Sequence, residues 1–363
     1  MGGQKTEIAE VSGTVRRVRR FRAWLRRRAR PLRVLRVMMW TALFTSGLAA
    51  VFVVQTWVWW QHEPRSGGTA ANALWARHQW VGERHTEAEY RALADRIRKA
   101  GITDVFFHAG PFEADGTVPA EKYANAGKLI EAMRRFAPGV RAQAYLGQLR
   151  RMDGYGVLDL DRPDVRRRIL DTDKIFLDLG FDGIHYDVEP VYPDDRAFVL
   201  LLEETHRLTR ERGRVLSVAL EQLTTVDSAE PAYRTLLPRG AVHYPARPTV
   251  AFLRTVADRV DQIAIMTYDV PLPTRSLVGR HFARHTERTL RLVGDKVTVF
   301  MGVPTYTPMM GWAEDLGSAL GGVRRGVDSL ARPPAKPYGV GIYAEWTTSP
   351  ADWARFHADW QAR

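Results

Sequence analysis

The sequence predicts an α/β fold, a (β/α)8 TIM barrel preceded by a single transmembrane helix. Three observations predict it. Over residues 73–363, eight short apolar runs alternate with eight longer amphipathic ones, the count and length of a closed barrel. An uncharged run of 24 residues, 37–60, precedes them. An arginine-rich segment, 1–36, precedes that run. At 45% hydrophobic and 26% charged residues, the 363-residue chain is globular rather than disordered. It has no cysteine, which excludes disulfides, thiolate metal sites and cysteine nucleophiles.

Taken in order, residues 1–36 hold Lys5 and eleven arginines against Glu7 and Glu10, a balance of +10 out of the whole chain's +12. The body is therefore nearly neutral, and no nucleic-acid partner is expected. As a helix, 37–60 extends roughly 36 Å, enough to span about 30 Å of hydrocarbon. Trp40 lies near one end and Trp57, Trp59 and Trp60 at the other, as in an interfacial aromatic belt. A cleavable signal peptide is the alternative, but the run is long for one and Gln61–Gly68 supplies no small-residue cleavage site. The arginines place the N-terminus in the cytoplasm and the barrel outside, with anionic lipid headgroups as partners of the tail. Residues 61–72, with Pro64, Gly67 and Gly68, read as a linker to the barrel at 73–363.

Strands are expected at 74–80, 104–109, 141–146, 183–189, 215–220, 262–268, 297–303 and 338–343. Helices are expected at 87–99, 120–136, 163–179, 196–211, 250–259, 281–293, 317–330 and 350–361. Thr86 before Glu87 and Glu89 suits a capped helix start, and Gly101 suits its end. A doubly wound open sheet also alternates in this way. It usually carries a glycine-rich loop after an early strand, where this chain has His-Gln-Trp-Val-Gly-Glu-Arg-His. Barrel chemistry sits at the C-terminal strand ends.

The fourth strand reads Asp182-Gly183-Ile184-His185-Tyr186-Asp187-Val188-Glu189-Pro190. Alternation places His185, Asp187 and Glu189 on one face, and Ile184, Tyr186 and Val188 on the other. With the aliphatic face packed on helices, the titratable trio lines the barrel mouth. Paired carboxylates there raise one pKa, which keeps a general acid protonated near neutrality. An ordinary polar strand end is the competing interpretation.

These residues resemble glycoside hydrolase family 18, the chitinase-type (β/α)8 barrels, whose fourth strand carries DGxDxDxE. Met266-Thr267-Tyr268-Asp269 is similar to the family's M-x-Y-D on the sixth strand. Gly302-Val303-Pro304-Thr305-Tyr306 is similar to G-x-P-x-Y on the seventh, and Gly341–Trp346 to the eighth, whose tryptophan floors the sugar site. The resemblance implies Glu189 as general acid, with the substrate's own N-acetyl carbonyl as nucleophile. It further implies Asp187 as stabiliser of the oxazolinium-like intermediate and Tyr268 as donor to the acetamido oxygen. Asp269, Trp346, Tyr306, Met266 and His185 are placed in the sugar site by the same resemblance. Two departures stand out: His185 replaces the family's middle Asp, and Ala144-Tyr145-Leu146-Gly147-Gln148 stands where the family has S-x-G-G. An imidazole at 185 can donate to Asp187, but a protonated one lowers that carboxylate's pKa.

Trp80, Tyr145 and Gln148 are further substrate-binding candidates at strand ends, with His78, His108 and Glu221. A metal-dependent amidohydrolase is a rival enzyme class, but it usually pairs two histidines on the first strand, where His78 stands alone. No H-E-x-x-H or G-x-S-x-G occurs. The expectation is a membrane-anchored hydrolase of N-acetylhexosamine-containing glycan, needing no metal or cofactor. The alternative is a membrane-tethered, catalytically weak or inactive glycan-binding barrel.

Overall fold

Eight parallel strands form a closed barrel, each paired with the next and the last with the first. They are β1 (Ala73–Ala76), β2 (Asp104–His108), β3 (Arg141–Leu149), β4 (Gly183–Glu189), β5 (Val215–Glu221), β6 (Gln262–Met266), β7 (Thr298–Pro304) and β8 (Tyr338–Tyr343). The helices are α1 (Gln79–Gly82), α2 (Glu87–Lys99), α3 (Ala126–Phe136), α4 (Pro163–Leu179), α5 (Arg196–Glu211), α6 (Val250–Ala257), α7 (Arg275–Val293), α8 (Leu316–Asp328) and α9 (Pro350–Phe356). This computed structural model describes residues 37–48, 50–51, 54, 71–151, 156–192, 195–223, 248–306 and 313–362. The chain divides into two units, Met1–Glu63 and Pro64–Arg363.

Strand alternation sorts the core into two shells. Leu74, Val105, Ile184, Tyr186, Val188, Leu216 and Ile263 pack outward with helix residues such as Leu93, Ile130, Phe176 and Phe198. Each such side chain contributes about 1.5–3 kcal/mol on burial. Trp75, Phe106, Ala264 and Phe300 fill the bore, with Tyr145 and Tyr343 packed against them. Glycine makes room for two of the rings. A Cβ on Gly341 would lie 2.6 Å from Trp75, and one on Gly302 would lie 2.7 Å from Tyr268.

Beneath these rings the barrel is polar. Buried Asp104 accepts from Arg141 through both oxygens at 2.7 Å, and from Gln143 and Gln262 at 2.8 and 3.0 Å. Gln143 also donates to Gln262 at 2.7 Å and accepts from Ser217 at 2.8 Å. A buried carboxylate is tolerated only with such complete pairing.

Several expected boundaries move. The strand expected at 74–80 ends at Ala76, because residues 79–82 turn into α1. The sixth strand ends at Met266, leaving Tyr268 and Asp269 on the following loop. The helix expected at 120–136 is a 3-10 turn, Ala120–Tyr123, followed by α3. α7 starts at Arg275, where Thr274 caps the Leu277 N–H. The long connections that the sequence places at 222–249 and 307–315, either groove-shaping loops or plain insertions, fall largely outside the described residues.

The expected transmembrane helix is overturned. Among the described residues no helix is long and apolar enough to cross a membrane. The single-pass topology, the cytoplasmic N-terminus with an extracytoplasmic barrel, and the membrane and lipid-headgroup partners are withdrawn with it. The arginine-rich tail (1–36) and residues 61–70 of the linker lie outside the described residues.

Candidate active site

The inner face of β4 carries His185, Asp187 and Glu189, as the alternation predicts. Ile184, Tyr186 and Val188 are buried in the outer shell. β3 and β5 flank the strand, with Tyr145 opposite His185 and Gly147 opposite Asp187. A Cβ on residue 147 would come within 2.8 Å of the Asp187 carbonyl oxygen, so glycine there keeps the two strands close.

His185 is fully buried and lies flat on Phe106, with ring centroids 3.7 Å apart and planes 6° from parallel. Its Nδ1 is 2.6 Å from Ser217 Oγ, whose hydroxyl proton goes to Gln143. Nδ1 therefore carries the imidazole proton and donates to Ser217, leaving Nε2 unprotonated, buried and without a hydrogen bond. Burial lowers the His185 pKa to about 3, so the ring is neutral at ordinary pH. The predicted His185–Asp187 donation is not formed. Tyr145 donates to Asp187 Oδ2 at 2.7 Å instead. Asp187 Oδ1 is buried with no partner, and burial raises this carboxyl's pKa against the lowering effect of the Tyr145 bond.

Glu189, partly exposed at the end of β4, has its pKa raised to about 8 by burial and then by the charges of Asp187, Glu221 and Asp269. These groups come from β4, β5 and the loop after β6, so the barrel gathers at its mouth carboxylates that are distant in sequence. Burial and Asp187 likewise push the Tyr268 phenol well above its ordinary value.

The remaining wall is aromatic. Tyr268 stacks on Tyr343 at 4.9 Å, and Tyr306 meets both edge-on at 6.2 and 5.9 Å. Tyr306 donates to Asp269 Oδ1 at 2.5 Å. Trp346 lies three residues beyond β8, 41% exposed, with its ring 5.8 Å from Tyr343. Met266 ends β6 beside Glu221. A face of Trp346 open to solvent can stack on a sugar ring.

Other candidates are placed elsewhere. Trp80 sits on α1, tilted against His85 at 4.3 Å and Tyr90 at 6.1 Å, in the outer shell. Gln148 is occupied at both ends, donating to Phe112 O at 2.6 Å and accepting from Leu149 N at 2.7 Å. His78 Nδ1 bonds the His108 carbonyl at 2.9 Å, and burial lowers the His108 pKa to about 4. Among the described residues, no group of three or more His, Asp or Glu is arranged to hold a metal ion. Sequence reasoning missed Tyr343, visible only as a strand-terminal aromatic, and Glu314, which had no signal.

No protein-family model and no curated protein matches the sequence. Solved structures share the fold. A chitinase from Chromobacterium violaceum ATCC 12472 is 15% identical with a TM-score of 0.53, covering 80% of this chain and 98% of its own. The spore cortex-lytic enzyme SleL of Bacillus cereus is 14% identical with a TM-score of 0.54, covering 81% of this chain and 75% of its own. A class V chitinase from Pseudomonas fluorescens Pf-5 is 14% identical with a TM-score of 0.53, covering 81% and 99%. At such identity the likeness is one of fold. The assignment to glycoside hydrolase family 18 expected from the motifs is therefore corrected to a coarser statement: the chain has the closed (β/α)8 barrel fold that these three enzymes share.

Proposed function

We propose that the barrel is a glycosidase acting on N-acetylhexosamine-containing glycan, with Glu189 as general acid. One observation carries the reading: two carboxyl groups two residues apart share the inner face of β4, and burial and neighbouring charge keep Glu189 protonated up to about pH 8. In hydrolysis Glu189 gives its proton to the glycosidic oxygen as the bond to the anomeric carbon breaks. The substrate's acetamido oxygen forms the new bond, Asp187 faces the resulting positive charge, and Tyr268 donates to the acetamido group. Water then attacks the anomeric carbon and returns a proton to Glu189. The fold likeness to chitinases and the motif resemblance support this scheme.

The test is Glu189→Gln, which keeps shape and removes the proton donor. Hydrolysis of a chromogenic N-acetylglucosaminide oligomer is expected to fall at least a hundredfold, with the thermal unfolding transition unchanged. Full activity in that variant removes Glu189 from the acid role.

A second reading, a glycan-binding barrel without turnover, is favoured by His185, a neutral imidazole held away from Asp187. Binding of the oligomer with no reducing ends released between pH 4 and 8, and release restored by His185→Asp, decides for it.

A further inference from the structure

We propose that Glu314 is a positioning residue that clamps the turn after β6 and so fixes the Asp269 carboxylate against Tyr306 at the barrel mouth. The proposal rests on reading this mouth as the substrate site. Asp269 is the one non-glycine residue with positive φ among the described residues, at 62°. An L-residue holds that conformation only where its surroundings over-determine it. Glu314 supplies the determinant: its Oε2 accepts from the consecutive N–H groups of Asp269 and Val270 at 3.1 and 3.4 Å. Two successive amides converging on one oxygen form an anion-binding nest, filled here by the protein's own carboxylate.

The arrangement exceeds what folding requires. A turn that needs only this backbone shape is met by glycine, with no buried acid. Glu314 is 7% exposed, and its Oε1 is buried with no hydrogen bond, so the second oxygen brings no compensating bond for its desolvation. What the clamp secures is the Asp269 side chain, whose Oδ1 takes the Tyr306 hydroxyl at 2.5 Å and ties the β6 loop to the aromatic wall. Glu314 touches neither Glu189 nor Asp187 in any hydrogen bond, and it acts through the backbone of Asp269. The titratable groups beside it are Asp269 on the β6 loop and Tyr306 after β7. Asp315, next in the chain, is paired with Arg275 of α7 at 2.7 Å. Burial and the Asp269 charge raise the Glu314 pKa to about 7, within reach of titration.

The test follows the Asp269 and Val270 amides by proton–nitrogen NMR of the full chain from pH 5 to 9, in wild type, Glu314→Gln and Glu314→Ala. Wild type is expected to show both amide protons moving downfield with a midpoint near 7 as Glu314 ionises. Glu314→Gln keeps an acceptor oxygen and is expected to show the shifted amides without that titration. Glu314→Ala is expected to speed hydrogen exchange at both amides at least tenfold, and to raise KM for the chromogenic oligomer at least fivefold with less effect on kcat. Unchanged exchange in Glu314→Ala, or a midpoint near 7 that persists in Glu314→Gln, overturns the clamp. If Glu314→Ala does not fold, the Glu314→Gln titration decides alone. If wild type does not hydrolyse the oligomer, the functional reading fails while the amide result still decides the clamp.

Discussion

The Tyr145 hydroxyl on β3 donates to Asp187 Oδ2 on β4 at 2.7 Å, while the imidazole two residues before Asp187 on the same face turns to Ser217. A neutral phenol thus holds the carboxylate to which the proposed mechanism gives the developing sugar cation. It steadies the charged form and has no competing charge of its own.

Tyr145→Phe tests that hold. A hydrogen bond to a charged group is worth about 1.5–3 kcal/mol, so a kcat loss of about tenfold to a hundredfold is expected. The bond lowers the Asp187 pKa, so its removal raises it. The acidic limb of the kcat/KM profile should therefore move to higher pH. A profile superimposable on wild type would show that the phenol is idle.

Under the proposed mechanism the alkaline limb belongs to Glu189, which acts in its protonated form. Activity should fall as pH rises through about 8. Glu221 and Asp269 each raise that value by their charge. Glu221→Gln or Asp269→Asn should consequently shift the limb to lower pH, and the double variant further still. The same pH–rate titration on the chromogenic oligomer measures all three.

Stability carries a separate pH signature behind the sheet. Asp173 on α4 is fully buried, accepts from Tyr186 and Thr205, and has its pKa raised from 3.8 to about 7 by burial. The native state therefore binds this proton more tightly than the unfolded chain does. The group weakens the fold progressively from about pH 4, and fully above about pH 7. Asp173→Asn should leave stability at pH 4 nearly unchanged and raise it by on the order of 4 kcal/mol at pH 8. Urea unfolding at the two pH values checks the sign.

Gly302 tests the fit around Tyr268. An alanine Cβ would stand 2.7 Å from that ring and 2.8 Å from the Ile265 carbonyl. Gly302→Ala should cost about 1–3 kcal/mol by overpacking, and should raise KM by displacing the tyrosine. A denaturation midpoint equal to wild type would show that the ring yields freely.

Much of the barrel was legible because its punctuation is local. The Thr86 cap and the helix starts at Glu87, Pro163 and Arg196 sit where the sequence implies. The β4 trio was readable for the same reason, since period two needs no tertiary information. What failed was longer in range. The first strand was carried past Ala76 through Arg-His-Gln to Trp80, where the chain in fact turns into α1, so Trp80 moved from the mouth to the outer shell. Asp187 found its partner on another strand, 42 positions away, rather than at His185. Glu314 meets Asp269 across 45 positions, a pairing no spacing announces. Residues 37–60 misled in the other direction: absence of charge permits a crossing helix without requiring one, and among the described residues no helix is long and apolar enough to cross a membrane.

Trp75 fills the bore of the barrel. Its indole meets Phe106, His185 and Tyr343 at 5.1, 5.7 and 5.7 Å, corking the cylinder just above the Asp104 network. The bore is therefore stoppered partway down by packed rings. Under the proposed function, nothing that enters from the Glu189 side can pass through to the opposite end of the cylinder.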